Sequence, residues 1–193
     1  MKHLTPALCL FLAMAGTATA ACKDDLAAVI DKHKSSGPYH VSMTTSATGG
    51  KVTKAEADVI LPDKFHIMSP EMEMLLVGPK AWMKMGGDWQ PMPGEAAQMM
   101  SSMIAAGMAD GLKKASNITC PGTLDYEGES YTAYAFDMKA NVMGMDSKSH
   151  VTLYADGDGL PARVVVNGEA AGMKTKTVQK LTFKSGISIS PPN

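Results

Sequence analysis

Methionine is the side chain in this sequence whose number and spacing most clearly indicate chemistry. The chain has 17 methionines among 193 residues, whereas methionine is not among the common residues of soluble domains. Residues two apart in a β-strand face the same way, about 7 Å from each other, so two thioethers could converge on a soft ion such as Cu(I). Three pairs have that spacing: Met72/Met74, Met83/Met85 and Met143/Met145.

A soft-metal site is therefore one hypothesis, and its best candidate ligands are Met72, Met74, Met83 and Met85 with the nearby His66. The pattern lacks the cysteine thiolate or histidine cluster that usually accompanies such a site. Three pairs are also only a modest excess over chance in a chain this rich in methionine. We therefore expect no bound metal and keep this site as the alternative.

An apolar binding cavity explains more of the methionines. The thioether side chain is flexible and polarizable, fills irregular gaps and can repack around varied apolar ligands. A fatty chain would suit such a wall, although plain core filling would also account for many of these residues singly. The predicted cavity residues are Met43, Met72, Met74, Met83 and Met85 on strands, and Met99, Met100, Met103 and Met108 on a helix.

Enzyme and nucleic-acid functions find little support. The chain lacks Gly-x-Ser-x-Gly, Ser-x-x-Lys, His-Glu-x-x-His, the phosphate-binding Gly-x-x-x-x-Gly-Lys and the dinucleotide Gly-x-Gly-x-x-Gly. The formal net charge is −1, and Arg163 is the single arginine, so there is no basic surface typical of nucleic-acid binding. We expect a non-enzymatic protein without a cofactor.

The N-terminus has the layout of a secretory signal peptide over residues 1–20, with a basic start, a short apolar run and the exit Ala18-Thr19-Ala20. The rest, residues 21–193, has the length of one domain. Export implies an oxidising compartment, so Cys22 and Cys120 are predicted to form a disulfide. The alternative is lipidation of Cys22, which Thr19 disfavours because that position normally carries a branched apolar residue. We expect a periplasmic or secreted protein.

Hydropathy patterns predict two helices and about nine strands. A short amphipathic helix covers residues 23–34, and alternating strands follow it. Residues 95–114 form the second helix, which has no charged side chain between Glu95 and Asp110 and should therefore lie over apolar surface. The predicted fold class is α+β, a curved antiparallel sheet, or incomplete β-barrel, with the helices on its concave side.

Several segments occur in a characteristic order along the chain. They are a helix leading into the strand 39–45, Leu61-Pro62-Asp63-Lys64-Phe65, the hairpin Val77-Gly78-Pro79-Lys80-Ala81-Trp82 with Gly87-Asp88-Trp89, the later strand 131–138, and Leu160-Pro161-Ala162-Arg163. This order of elements resembles the LolA and LolB group of periplasmic lipoprotein carriers and their looser mycobacterial relatives. The similarity covers nearly all of the chain after residue 20 and is one of pattern order.

This resemblance implies an incomplete barrel that holds acyl chains in a cavity capped by helices. The expected function is a periplasmic carrier for a lipid or acylated ligand, working as a monomer and exchanging ligand with a membrane protein of the envelope. Two alternatives stay open. One is copper or silver binding through the Met-x-Met pairs, and the other is a ligand-free interaction module of the inhibitor or immunity type.

Overall fold

One large antiparallel sheet organises the molecule. The structure is a computed structural model that describes residues 16–142 and 145–192, with the backbone alone for residues 16–19, 103–111, 141, 142 and 145. The strands lie in the order β6-β5-β4-β3-β2-β1-β11-β10-β9-β8-β7, so the sheet stays open between β6 and β7. The strands are β1 (Tyr39–Ala47), β2 (Val52–Ile60), β3 (Lys64–Met68), β4 (Glu73–Val77), β5 (Lys80–Lys84), β6 (Gln90–Pro91), β7 (Ser116–Tyr126), β8 (Glu129–Val142), β9 (Met145–Ala155), β10 (Pro161–Ala170) and β11 (Met173–Phe183).

Two long helices accompany the sheet. Helix α1 (Gly16–Ser35) precedes β1, and α2 (Gly94–Lys114) connects β6 to β7. Lysines and a histidine occupy the last turn of α1, and Lys113 and Lys114 that of α2, where positive charge is favoured by the helix dipole. Neither helix is long and apolar enough, within the described residues, to cross a bilayer.

Both helices pack on the same face of the sheet, the inner face. Strand register carries this face continuously from Tyr134 on β8 through Leu153, Val164 and Gln179 to Met43 on β1. Two hydrophobic clusters form on it. Cluster A comprises Tyr39, Val41, Ala57, Val59, Phe65, Leu76, Ala81 and Ala97, and cluster B comprises Leu26, Val29, Tyr134, Phe136, Val151, Leu153 and Ala155.

The predicted fold class is confirmed: the protein is an α+β molecule with an open, curved antiparallel sheet and helices on its inner side. The count of about nine strands was too low, since β6 was not predicted. The pattern also indicated only residues 123–126 of β7. As an edge strand, β7 is exposed at nearly every position, so it lacks the apolar alternation by which a strand is recognised. The signal-peptide prediction falls largely on residues 1–15, which lie outside the described residues.

The C-terminal segment covers part of the outer face, the side of the sheet opposite clusters A and B. Ile189 is buried and lines a cleft with His66, Leu75 and Trp89. Leu75 on β4 alternates with the cluster A residue Leu76, so its buried side chain points to the outer face. The segment after β11 therefore supplies apolar cover for β3 and β4.

Candidate functional site

Helix α2 bridges the two clusters of the inner face. Near its N-terminus Ala97 is buried within cluster A, and near its C-terminus Leu112 packs against cluster B together with Ala115. The described contacts of this helix are therefore at its two ends. The central residues 103–111 are helical, but their side chains lie outside the described part of the chain.

A polar strip separates the clusters on the inner face beside this helix. It consists of Thr45 on β1 with Thr177 and Gln179 on β11, and all three side chains are half-buried. The hydroxyls of Thr45 and Thr177 are hydrogen-bonded at 2.9 Å. Strand alternation directs these side chains to the inner face. The strip is therefore a polar surface between the two hydrophobic clusters.

The predicted strand methionines divide into an inward group and an exposed group. Met43 packs against cluster A, and Met74 lies directly opposite Met83 on the neighbouring strand, with both half-buried. Met72 is exposed just before β4, and Met85, at 73% exposure, follows the end of β5. The structure therefore brings Met74 and Met83 together and places Met72 and Met85 at the solvent boundary.

The predicted helix methionines lie on α2. Met99 is 63% exposed and Met100 is half-buried. The side chains of Met103 and Met108 belong to the undescribed centre of the helix. The assignment of these methionines to a ligand cavity stays a prediction.

Candidate metal ligands are sparse in the described residues. No group of three or more His, Cys, Asp or Glu side chains there could hold a metal ion. His66 is on the outer face, 3.4 Å from a carboxylate oxygen of Glu73, whereas Met74 faces inward. His66 and Met74 therefore point to opposite sides of the sheet and do not form one site. The third pair, Met143/Met145, has Met143 outside the described residues.

The predicted disulfide joins Cys22 of α1 to Cys120 of β7. It fixes the helix to the edge strand beyond cluster B and links residues 98 positions apart in sequence. The Cys22 sulfur is engaged in this bond, so the thiol needed for lipidation is not free. A disulfide of this kind is typical of proteins outside the cytoplasm.

The end of α1 contacts the sheet through edge-on aromatic contacts of His33. His33 lies 4.7 Å from the ring of Tyr39 and 5.8 Å from that of Phe183, both edge-on. Its Nε2 atom is buried without a hydrogen-bond partner. Burial, and then the neighbouring charge of Lys34, lower the pKa of His33, and burial raises the pKa of Tyr39 to about 12. Both side chains are therefore neutral at pH 7.

The single arginine forms a feature that the sequence analysis missed. Arg163 is only 8% exposed and lies on the outer face, with its guanidinium 3.0 Å from Glu127 and 5.0 Å from the centre of the Tyr126 ring. Its Nε–H donates to the hydroxyl of Tyr131 at 3.3 Å. The turn Glu127-Gly128-Glu129, which places two carboxylates close together, was the sequence signal that could have indicated a cationic partner.

A cavity of about 620 Å³ lies elsewhere, across the ends of β8 to β11. Its lining is mostly polar side chains and includes Met138, which was not predicted as a site residue. None of the predicted cavity methionines whose side chains are described lines it.

Comparison with known proteins shows similarity in structure only. No family model matches the sequence, and no curated protein matches it. Among solved structures, the lipoprotein LppX of Mycobacterium tuberculosis is 16% identical and superposes with a TM-score of 0.58, covering 89% of this chain and 99% of LppX. LprF from Mycobacterium bovis is 15% identical with a TM-score of 0.60, covering 92% of this chain and 99% of LprF.

A more distant match is a LolA superfamily protein from Nitrosomonas europaea, which is 10% identical with a TM-score of 0.38 and covers 87% of this chain and 93% of that protein. The resemblance expected from the sequence is confirmed at the level of the fold for the mycobacterial proteins: the chain has the open antiparallel-sheet fold of the lipoprotein LppX and of LprF.

Proposed function

We propose that this protein is a non-enzymatic carrier, working outside the cytoplasm, that holds a lipid or the acyl part of an acylated molecule on the inner face of the sheet. The single observation that carries the proposal is the division of that face. Two hydrophobic clusters lie apart on it, and α2 reaches both, with Ala97 in cluster A and Leu112 against cluster B. An acyl chain laid between the clusters would contact apolar side chains on both sides.

The chemistry of the inner face fits an acyl ligand. Each buried methylene contributes about 0.8 kcal/mol, so a long acyl chain binds tightly without any charged partner. Met43, Val164 and Val166 border the polar strip, and the hydroxyls of Thr45 and Thr177 share one hydrogen bond, so each has a partner. The strip can therefore lie under an alkyl chain without leaving those hydroxyls unpaired.

The fold supports the same function by analogy. A lipoprotein, LppX, has this open barrel, and the disulfide between Cys22 and Cys120 suits an oxidising compartment. In this proposal α2 acts as the lid, because it spans the inner face from cluster A at Ala97 to cluster B at Leu112. Movement of one end would open the space between the clusters.

The test is native mass spectrometry of the protein purified gently from its own envelope, followed by organic extraction. The proposal expects a lipid-sized adduct that is lost on extraction and restored by adding the extract back. Protein that carries no adduct and takes up none of the envelope lipids would contradict it.

Soft-metal binding is a second candidate, favoured by the direct opposition of Met74 and Met83 across β4 and β5. Two thioethers provide an incomplete ligand set for Cu(I) or Ag(I), since the neighbouring His66 points to the other face. The same mass spectra would show a copper or silver adduct in place of the lipid.

A further inference from the structure

Lysines form a row on the outer face at one end of the sheet. Strand pairing aligns Lys139 on β8 with Lys148 on β9, which is aligned with Glu169 on β10, and Glu169 with Lys174 on β11. Side chains alternate along a strand, and the residues one position before or after these, such as Met138, face inward with cluster B. Three ammonium groups and one carboxylate therefore stand side by side on the outer face.

The fold gains nothing from the pairing of Lys139 with Lys148. Cβ atoms of directly opposed residues lie about 5 Å apart, and like charges at that position are destabilising. Within the described part of the chain, no hydrogen bond or ion pair is formed by the ammonium group of either residue. Glu169 beside Lys148 and Asp137 near Lys139 offset part of this repulsion, and an anion from outside the molecule would relieve the rest.

The next row of side chains on the outer face contributes another lysine, Lys176. It contains Asp137, His150, Asn167 and Lys176 in register. Asp137 is already engaged by Asn117 at 2.8 Å and by His150 at 2.7 Å, and these hydrogen bonds lower its pKa. The charge of Lys139 also acts on this carboxylate, and Lys176 forms no ion pair with it or with any other side chain that the structure describes. The cavity of about 620 Å³ is lined by both rows.

Apolar side chains are exposed at the same end of the sheet. Val52 at the start of β2 is 56% exposed and Met173 at the start of β11 is 62% exposed. The two turns are joined, because the backbone N–H of Thr48 donates to the carbonyl of Lys174 at 2.9 Å. Exposed apolar tips with lysines around them are typical of surfaces that enter a membrane interface.

The positive charge of this end is a local excess over the acidic side chains there, Asp137, Asp146 and Glu169. Lys51 and Lys54 extend the surface along the β1–β2 turn and β2, and both are exposed. The chain as a whole nevertheless carries a formal net charge of −1. Solubility or general attraction to polyanions therefore does not explain the grouping, and the observations favour a partner that offers negative charge over an apolar layer.

We propose that this basic end, formed by Lys51, Lys54, Lys139, Lys148, Lys174 and Lys176 with the tips Val52 and Met173, docks on a bilayer surface containing anionic phospholipid. The ammonium groups bind headgroup phosphates, and the two apolar tips enter the interface below them. This docking proposal goes beyond the proposed carriage of a lipid. The two are tested separately, because vesicle binding is measured whether or not a lipid occupies the inner face.

The experiment is flotation of the purified protein with vesicles of phosphatidylcholine alone or with about 30 mol% phosphatidylglycerol, at about 0.1 M and about 1 M salt. The double variant Lys139→Glu/Lys148→Glu is compared with Lys80→Glu/Lys184→Glu. Both doubles make the same change in net charge at exposed lysines, but the second pair lies away from the basic end. Val52→Asp tests the apolar tip.

We expect binding to the phosphatidylglycerol vesicles at low salt, with partition at least tenfold weaker for Lys139→Glu/Lys148→Glu and for Val52→Asp, and nearly unchanged for Lys80→Glu/Lys184→Glu. Circular dichroism melting checks that each variant folds. Three results would overturn the proposal: no binding to anionic vesicles, equal binding to phosphatidylcholine alone, or equal loss in the two double variants. If the protein binds no lipid on its inner face but still floats with these vesicles, the proposed carrier function is refuted and the docking proposal stands.

Discussion

Met74 and Met83 lie directly opposite each other on β4 and β5, on the same inner face as Leu76 and Ala81 of cluster A. This pairing is compatible with both lipid carriage and soft-metal binding, because two adjacent thioethers can line an apolar surface or supply two ligands of a metal site. His66, the imidazole nearest in sequence, points to the outer face, where its partner is Glu73. Apolar side chains therefore share the face of Met74 and Met83, whereas His66, the predicted additional metal ligand, lies on the opposite face.

The double variant Met74→Leu/Met83→Leu separates these functions. Leucine keeps the apolar volume but removes both sulfur atoms, so the carrier account expects fatty-acid binding within about twofold of wild type, since swaps of leucine and methionine conserve volume. Isothermal titration with Ag(I) and fluorescence titration with cis-parinaric acid measure the two activities. Loss of a stoichiometric Ag(I) site with intact structure would establish the metal function instead.

His33 makes stability depend on pH. Its pKa is lowered in the folded state, so the unfolded chain takes up a proton at about pH 6.5 while the folded chain still resists it. Stability from this residue is fully present above pH 6.5 and is lost as the pH falls from there toward the lower folded pKa. We expect urea midpoints to fall between pH 7.5 and pH 5.5 by more in wild type than in His33→Phe.

Phenylalanine is the matched change because it keeps a ring beside Tyr39 and Phe183. The carboxylate-bonded His40 and His150 remain in both proteins, so the difference between their pH profiles isolates His33. Identical pH profiles in the two proteins would show that the buried imidazole is not linked to unfolding.

Arg163 should matter for stability far more than other basic residues of the outer face. Arg163→Met removes the partner of Glu127 and the donor to Tyr131, and we expect a loss of about 2 kcal/mol in the free energy of unfolding. The control Lys180→Met changes the exposed residue directly opposite on β11 and should cost less than about 0.5 kcal/mol. Urea denaturation measures both, and equal losses would contradict this assignment.

The sequence predicted the sheet, both helices and the Cys22–Cys120 pair, because these depend on local periodicity and on the oxidising compartment. It could not predict which strand methionines meet, since the opposition of Met74 and Met83 depends on the register between β4 and β5. Periodicity likewise said nothing about Arg163, whose partners come from the turn between β7 and β8 and from β8.

The lysine row was hidden for the same reason. Its members are isolated single charges in the sequence and become neighbours only when β8 to β11 pair. The C-terminal segment also escaped prediction, because Ile187-Ser188-Ile189 is too short to establish a periodic pattern, and the cleft that the buried Ile189 lines is shared with Leu75 on a distant strand.

The most direct test of the central claim fills the space between the two clusters. Thr45→Trp places a large ring on the polar strip, and Thr44→Trp places the same ring at the adjacent exposed position on the outer face. Thr45→Val replaces the hydroxyl with a methyl group of similar size. If an acyl chain lies there, the dissociation constant for cis-parinaric acid should rise at least tenfold in Thr45→Trp and stay near wild type in the other two, with all three folded by circular dichroism. Unchanged binding in a folded Thr45→Trp variant would contradict the account.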